Sequence, residues 1–146
     1  MDNISFHGTS EQFAKEMLGP PSNIDLKKGK GELGKGFYTG SSIALAAIWA
    51  QLRYQEKAVV IEFNIPRPNF VKLKGYQFKT QAEVKQLWKN LKDLNKLSKY
   101  KINDNYDYII APFATVEHTG YQFKFESLKA ETELNICDKN VYPCGS

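Results

Sequence analysis

The residue pattern predicts an α+β domain, and three observations carry that expectation. Residues 58–65 (AVVIEFNI) and 106–112 (YDYIIAP) are β-branched or aromatic runs with the length of buried strands. Residues 43–54 and 81–97 instead space their apolar side chains for helices. The two kinds of segment follow one another in mixed order, without the repeating βαβ alternation of a doubly wound sheet. With 146 residues, no internal repeat and no low-complexity linker, the chain reads as a single domain over 1–146.

Taken in order, residues 3–6 read as a first strand that ends at His7-Gly8-Thr9. Ser10 is an N-cap for a helix carrying Phe13, Ala14, Met17 and Leu18 on one face, and Gly19-Pro20-Pro21 stops it. Residues 22–35 are loop-like, with Gly29, Gly31 and Gly34 interrupting a basic stretch, and 37–39 form a second short strand. Ser41 or Ser42 then caps the helix over 43–54, which holds four alanines. The strand at 58–65 is ended by Pro66 and Pro68. Val84, Leu87, Trp88, Leu91 and Leu94 give 81–97 an amphipathic face. Residues 106–112, 120–125 and 133–137 complete a set of several strands and about three helices.

Composition narrows the function classes. Hydrophobic residues make up 42% and charged residues 25%, which fits a soluble globular chain and excludes disorder or a collagen-like repeat. The longest apolar stretch, 43–50, is far short of the roughly 20 residues that a membrane span needs, so no membrane association is expected. Met1-Asp2-Asn3-Ile4 lacks the basic start and apolar run of a secretory leader, which points to the cytoplasm or to export by a leaderless route. Cys137 and Cys144 are expected as reduced, partly buried thiols, and two His with two Cys make a structural metal site improbable. The net charge of +4 is unevenly spread: residues 70–101 hold nine lysines against Glu83 and Asp93. Such a block attracts a polyanion, although a solvated helix face explains it as well.

Four local patterns could carry chemistry: His7-Gly8-Thr9, Gly34-Lys35-Gly36-Phe37-Tyr38, Trp49, and Glu131-Thr132-Glu133. The glycines let backbone approach a ligand closely. In an extended segment, Glu131 and Glu133 would share one face. Singly, each has an ordinary structural explanation: a surface histidine, a turn, a core aromatic, a charged strand edge.

Together, in their order along the chain, the segments Phe6-His7-Gly8-Thr9-Ser10, Gly34-Lys35-Gly36-Phe37-Tyr38-Thr39 with Ser41-Ser42 and the alanine-rich helix, and Glu131-Thr132-Glu133-Leu134-Asn135-Ile136 resemble the ADP-ribosyltransferase superfamily. Within it they are most similar to the His-Tyr-Glu branch of poly(ADP-ribose) polymerases and diphtheria-type toxins. Small uncharacterised bacterial members look closer still, sharing the Gly-Lys-Gly-Phe-Tyr turn, Trp49-Ala50 and a strand like 106–112. The lysine-rich helix has no clear counterpart there. The resemblance implies a split β-sandwich that binds NAD, breaks its nicotinamide–ribose bond without a metal, and transfers ADP-ribose to a macromolecular acceptor.

By motif position, the resemblance implies that His7 bonds the adenosine ribose and the Gly8 backbone holds the nicotinamide amide, with Thr9, Gly36 and Ser41 in the same NAD-binding set. Tyr38 would flank the nicotinamide ring. Trp49 falls where the polymerases place a stacking tyrosine, so either Tyr38 supplies that tyrosine or Trp49 replaces it. Glu133 matches the catalytic glutamate: a carboxylate there stabilises the oxocarbenium character left on the ribose. Glu131 completes a Glu-x-Glu pattern like that of arginine-specific members, in which the first glutamate activates the acceptor. This mixture of branches leaves the acceptor open among a protein side chain such as arginine, a nucleic-acid group and water, the last making an NAD glycohydrolase. Compact domains of this kind are often toxins or effectors, which adds a neutralising antitoxin or immunity protein to the expected partners. A non-catalytic module binding a nucleotide or nucleic acid on the same fold is the rival reading.

Overall fold

The computed structural model describes residues 2–95, 106–115 and 120–144. In chain order the elements are β1 (Asn3–Ser10), α1 (Glu11–Leu18), β2 (Lys30–Gly31), β3 (Gly34–Lys35), β4 (Phe37–Gly40), α2 (Ile43–Tyr54), β5 (Ala58–Ile65), α3 (Arg67–Phe70), β6 (Gly75–Gln77), α4 (Gln81–Asp93), β7 (Tyr108–Pro112), β8 (Tyr121–Phe125), α5 (Leu128–Ile136) and β9 (Asp138–Pro143). The class is α+β, with five α-helices among the described residues where about three were expected. Contacts group the chain into two compact units.

The first unit comprises Met1–Ile24, Thr39–Lys72 and Thr132–Ser146. Its strands are antiparallel: β1 lies between β4 and β5, and β9 pairs the other edge of β5. β5 is the hub because its run of valine, isoleucine and phenylalanine is almost wholly buried, from Ala58 to Ile65. β1 pairs with it along its whole length, from Asn3 opposite Ile65 to Ser10 opposite Ala58. His7-Gly8-Thr9 therefore lies inside a strand, not in the loop after one, because eight continuous partners on β5 hold it extended. Ser10 ends the strand and starts α1, its hydroxyl accepting from Phe13 N at 3.2 Å. Ser42 does the same for α2, accepting from Leu45 N at 3.1 Å, which decides between the two candidate caps.

α2 packs on this sheet through Ala46 and Ala50, 7% and 2% exposed. A methyl group on Gly8 would overlap the Ala46 carbonyl oxygen and lie 3.0 Å from Ala50 Cβ, so only glycine admits the helix at this distance.

The second unit comprises Asp25–Tyr38 and Leu73–Glu131. Here β6 and β7 are parallel, β7 and β8 antiparallel, and β2 and β3 form a separate small hairpin. The amphipathic face of α4 covers a core of Leu33, Val84, Ile109, Ala111 and Ala114, against which Tyr38, Phe78, Leu87 and Trp88 pack. Thr80 and Glu83 start α4 with a reciprocal capping box. Expected helical residues 96–97 and lysines 96, 99 and 101 lie outside the described residues.

One element was of the wrong type. Residues 133–137 are not a strand: 133–136 end α5, which Ser127 begins by accepting from Ala130 N at 3.0 Å, and Cys137 follows it. The buried residues Ala130, Leu134 and Cys137 recur at steps of four and three, the helical period, whereas the Leu134-Asn135-Ile136 window alone mimics strand alternation. Strands β6 and β9 were not foreseen; both are short, largely exposed edge strands without an apolar run.

Gly8→Ala is expected to lower stability by about 1–3 kcal/mol, because the helix must back away from the strand. Denaturant unfolding of the two proteins measures it, and equal midpoints would mean that α2 yields at no cost.

Candidate functional site

The predicted site residues are divided between the two units. His7, Gly8, Thr9, Ser41, Trp49 and Glu133 belong to the first; Gly36, Tyr38 and Glu131 belong to the second.

In the first unit, strand alternation sets the geometry. Ser5, His7 and Thr9 project from one face of β1, and Gly8 from the other. Phe6 lies opposite Gly40, so Thr39 comes across from His7 and shares its face. This face is polar yet buried: Ser5 is 0%, Thr9 3% and Thr39 4% exposed. The hydroxyl oxygens of Ser5 and Thr39 have no hydrogen-bond partner among the described residues. Buried hydroxyls are nearly always bonded, so these two are exceptions on the His7 face. The Ser5 and Thr39 hydroxyls escaped the sequence reading; their alternation with His7 and Thr9 is the signal that could have found them.

Trp49 is placed elsewhere. It sits on α2, the helix packed on the Gly8 face, and is 44% exposed. The structure thus does not bring the indole and the His7 side chain to one face of the sheet. Ser41 is exposed just before the helix cap. Glu133 is half-buried on α5, where its Oε1 accepts from Asn69 Nδ2 at 3.0 Å. Asn135 on the same helix anchors the chain after α1, its Oδ1 accepting from Ile24 N at 2.7 Å and Ser22 Oγ at 3.3 Å. Lys139 closes the helix end by donating to the carbonyls of Asn135 and Cys137. Cys137 and Cys144 are free thiols, and burial pushes both above the usual thiol range.

The helical state of α5 overturns the shared face expected for the two glutamates. Residues two apart on a helix are separated by about 200°, so Glu131 and Glu133 point to different sides. Glu131 Oε2 instead accepts from Leu26 N at 3.4 Å.

In the second unit, the glycine–aromatic turn has a packing explanation. The Tyr38 ring lies on Gly31, where an added methyl would come within 2.8 Å of it. Its hydroxyl donates to Gly34 O at 2.5 Å and accepts from Leu33 N at 3.0 Å. Burial pushes the Tyr38 hydroxyl far above the usual phenol range, outweighing the Leu33 hydrogen bond that pulls it down. Gly36 makes room for the stem of Lys124, whose Cγ would be 2.5 Å from a methyl there. Lys124 is fully buried; its ammonium donates to Leu33 O at 2.6 Å and pairs with Glu126. The Glu32 carboxylate is likewise claimed, by Ala114 N at 2.7 Å, Thr115 N at 2.9 Å, the Thr115 hydroxyl and Gln122 Nε2 at 2.8 Å. A lysine between Phe123 and Phe125 in a strand, opposite a glycine-rich turn, was the available sign of this buried ion pair.

Among the described residues, no group of three His, Cys, Asp or Glu could hold a metal, and no helix is long and apolar enough to cross a membrane. The sequence matches no protein-family model, and no curated protein is significantly similar to it.

The Tyr38 geometry predicts an alkaline effect. A phenol whose pKa is raised on folding contributes stability that is present below the unfolded value of about 10 and lost as pH rises above it. Tyr38→Phe should therefore be less stable than wild type at pH 8, with the gap closing above pH 10 in denaturant unfolding. A gap that stays constant across this range would show that the hydroxyl titrates normally.

Proposed function

We propose that the chain is an NAD-dependent ADP-ribosyltransferase with a fold of the split-sandwich type found in that superfamily. The observation that carries the reading is the pairing of Phe6 with Gly40, which sets the two sequence-distant motifs side by side and groups His7, Thr9 and Thr39 on one buried polar face. A ribose, rich in hydroxyls, suits a polar face, where the half-buried His7 can bond a ribose hydroxyl.

In the proposed reaction the bond between nicotinamide and ribose C1′ breaks, its electron pair leaving with nicotinamide. The Glu133 carboxylate stabilises the positive charge that develops on the ribose, and Asn69 holds that carboxylate in one orientation. The acceptor then bonds to C1′ and gives up its proton. Gly8 can offer a ligand only the backbone of β1, since its side of the strand is taken by α2. Glu131, turned from Glu133 and accepting from Leu26 N, fits a structural role in holding the chain at Leu26 and not acceptor activation.

Purified protein incubated with NAD and cell lysate should release free nicotinamide. Glu133→Gln, which keeps an oxygen for Asn69, should lower that release by about 10²–10³-fold without unfolding the protein. Glu131→Ala should leave both release and transfer at wild-type rates. Loss of transfer with hydrolysis retained would restore Glu131 to the acceptor side, and no release by folded wild type would favour the non-catalytic binding module.

A further inference from the structure

The second unit presents a basic surface that the NAD reading does not use. Lys85, Lys89 and Lys92 occupy positions i, i+4 and i+7 of α4, one stripe of the helix, and all three are exposed. The stripe runs beside the half-buried Trp88, over whose ring the Lys92 ammonium lies at 5.0 Å. Lys79, also exposed, sits immediately before the capping Thr80. Of the two acids on the helix, Glu83 is committed to that cap, its Oε1 accepting from Thr80 N and Oγ1, and Asp93 is the last residue of α4, directly after Lys92. Lys79, Lys85 and Lys89 form no ion pair among the described residues.

Just before the helix lies an aromatic surface. β6 is an edge strand with every residue exposed, and Tyr76 on it is 36% exposed. Tyr76 is braced edge-on by Phe78 at 5.1 Å and Tyr106 at 5.3 Å, and Lys74 lies over Tyr106 at 5.4 Å. A braced, exposed ring, with an ammonium group over the neighbouring Tyr106, offers a base a surface to stack on.

We infer that Lys85, Lys89 and Lys92 of α4, with Tyr76 of β6, form a docking surface for single-stranded nucleic acid. Three lysines along about 10 Å of helix match the spacing of roughly three successive phosphates on one strand. A single strand, unlike a duplex, has bases free to stack on Tyr76. An acidic protein would match the charges but leaves the exposed ring without a role. The inference rests on this unit alone and is independent of NAD cleavage.

The test is fluorescence anisotropy of labelled oligothymidylate with the intact protein, without NAD, over a range of salt concentrations. Wild type should bind at low salt, with log affinity falling linearly against log salt. The variant Lys85→Gln/Lys89→Gln/Lys92→Gln should bind more than tenfold more weakly at low salt, with a slope shallower by about 2. Tyr76→Ala, checked for an unchanged melting curve, should lose about tenfold in affinity with the salt slope kept. No wild-type binding, a triple variant with the wild-type slope, or a duplex bound as tightly as the single strand would each overturn the inference.

Discussion

The register of β1 against β5 is the constraint from which the first unit's chemistry follows. Eight consecutive pairs fix it, and a slip of one residue would exchange the two faces of the strand. In the observed register Gly8 faces α2, where any side chain would strike the Ala46 carbonyl. His7 and Thr9 are thereby committed to the opposite face with Ser5 and Thr39. Packing of a helix and availability of a histidine are thus one geometric fact. The three-residue motif reads as a polar–small–polar unit because its middle residue serves the helix and its outer residues serve the other side.

The second unit handles polarity by the opposite means. Lys124, Glu126 and Glu32 are groups that cost several kcal/mol to bury unpaired, and each is met by a partner inside the unit. Gly31 and Gly36 yield space to a tyrosine ring and a lysine stem, so the turn that looks like a ligand cradle is filled by the protein's own side chains. The glycines of this segment thus serve internal packing and do not lay backbone bare for a ligand.

Much of the architecture was legible where one physical signal dominated. β5, α2 and α4 were readable because burial on both faces, an alanine stripe and an amphipathic period respectively leave little ambiguity. α5 was not, because Leu134-Asn135-Ile136 alternates over three residues and the helical partners Ala130 and Cys137 fall outside that window. β6 and β9 were hidden because edge strands are held by backbone pairing, which leaves no hydrophobic trace in their side chains. The site followed the same division. The residues of the motifs could be named from sequence, but which face each takes, and that Trp49 and His7 are on elements serving different faces, depends on register and helix placement.

The change of α5 from strand to helix bears on the acceptor. Two glutamates on one strand face would form a stabilising carboxylate and a general base for a weakly nucleophilic acceptor such as arginine. On a helix they diverge, and Glu131 is spent on Leu26. In the proposed reaction, a site with Glu133 as its one carboxylate would suit an acceptor that needs little activation. Within the proposed reaction, the divergence of the glutamates therefore counts against the paired-carboxylate arrangement that a protein arginine would call for.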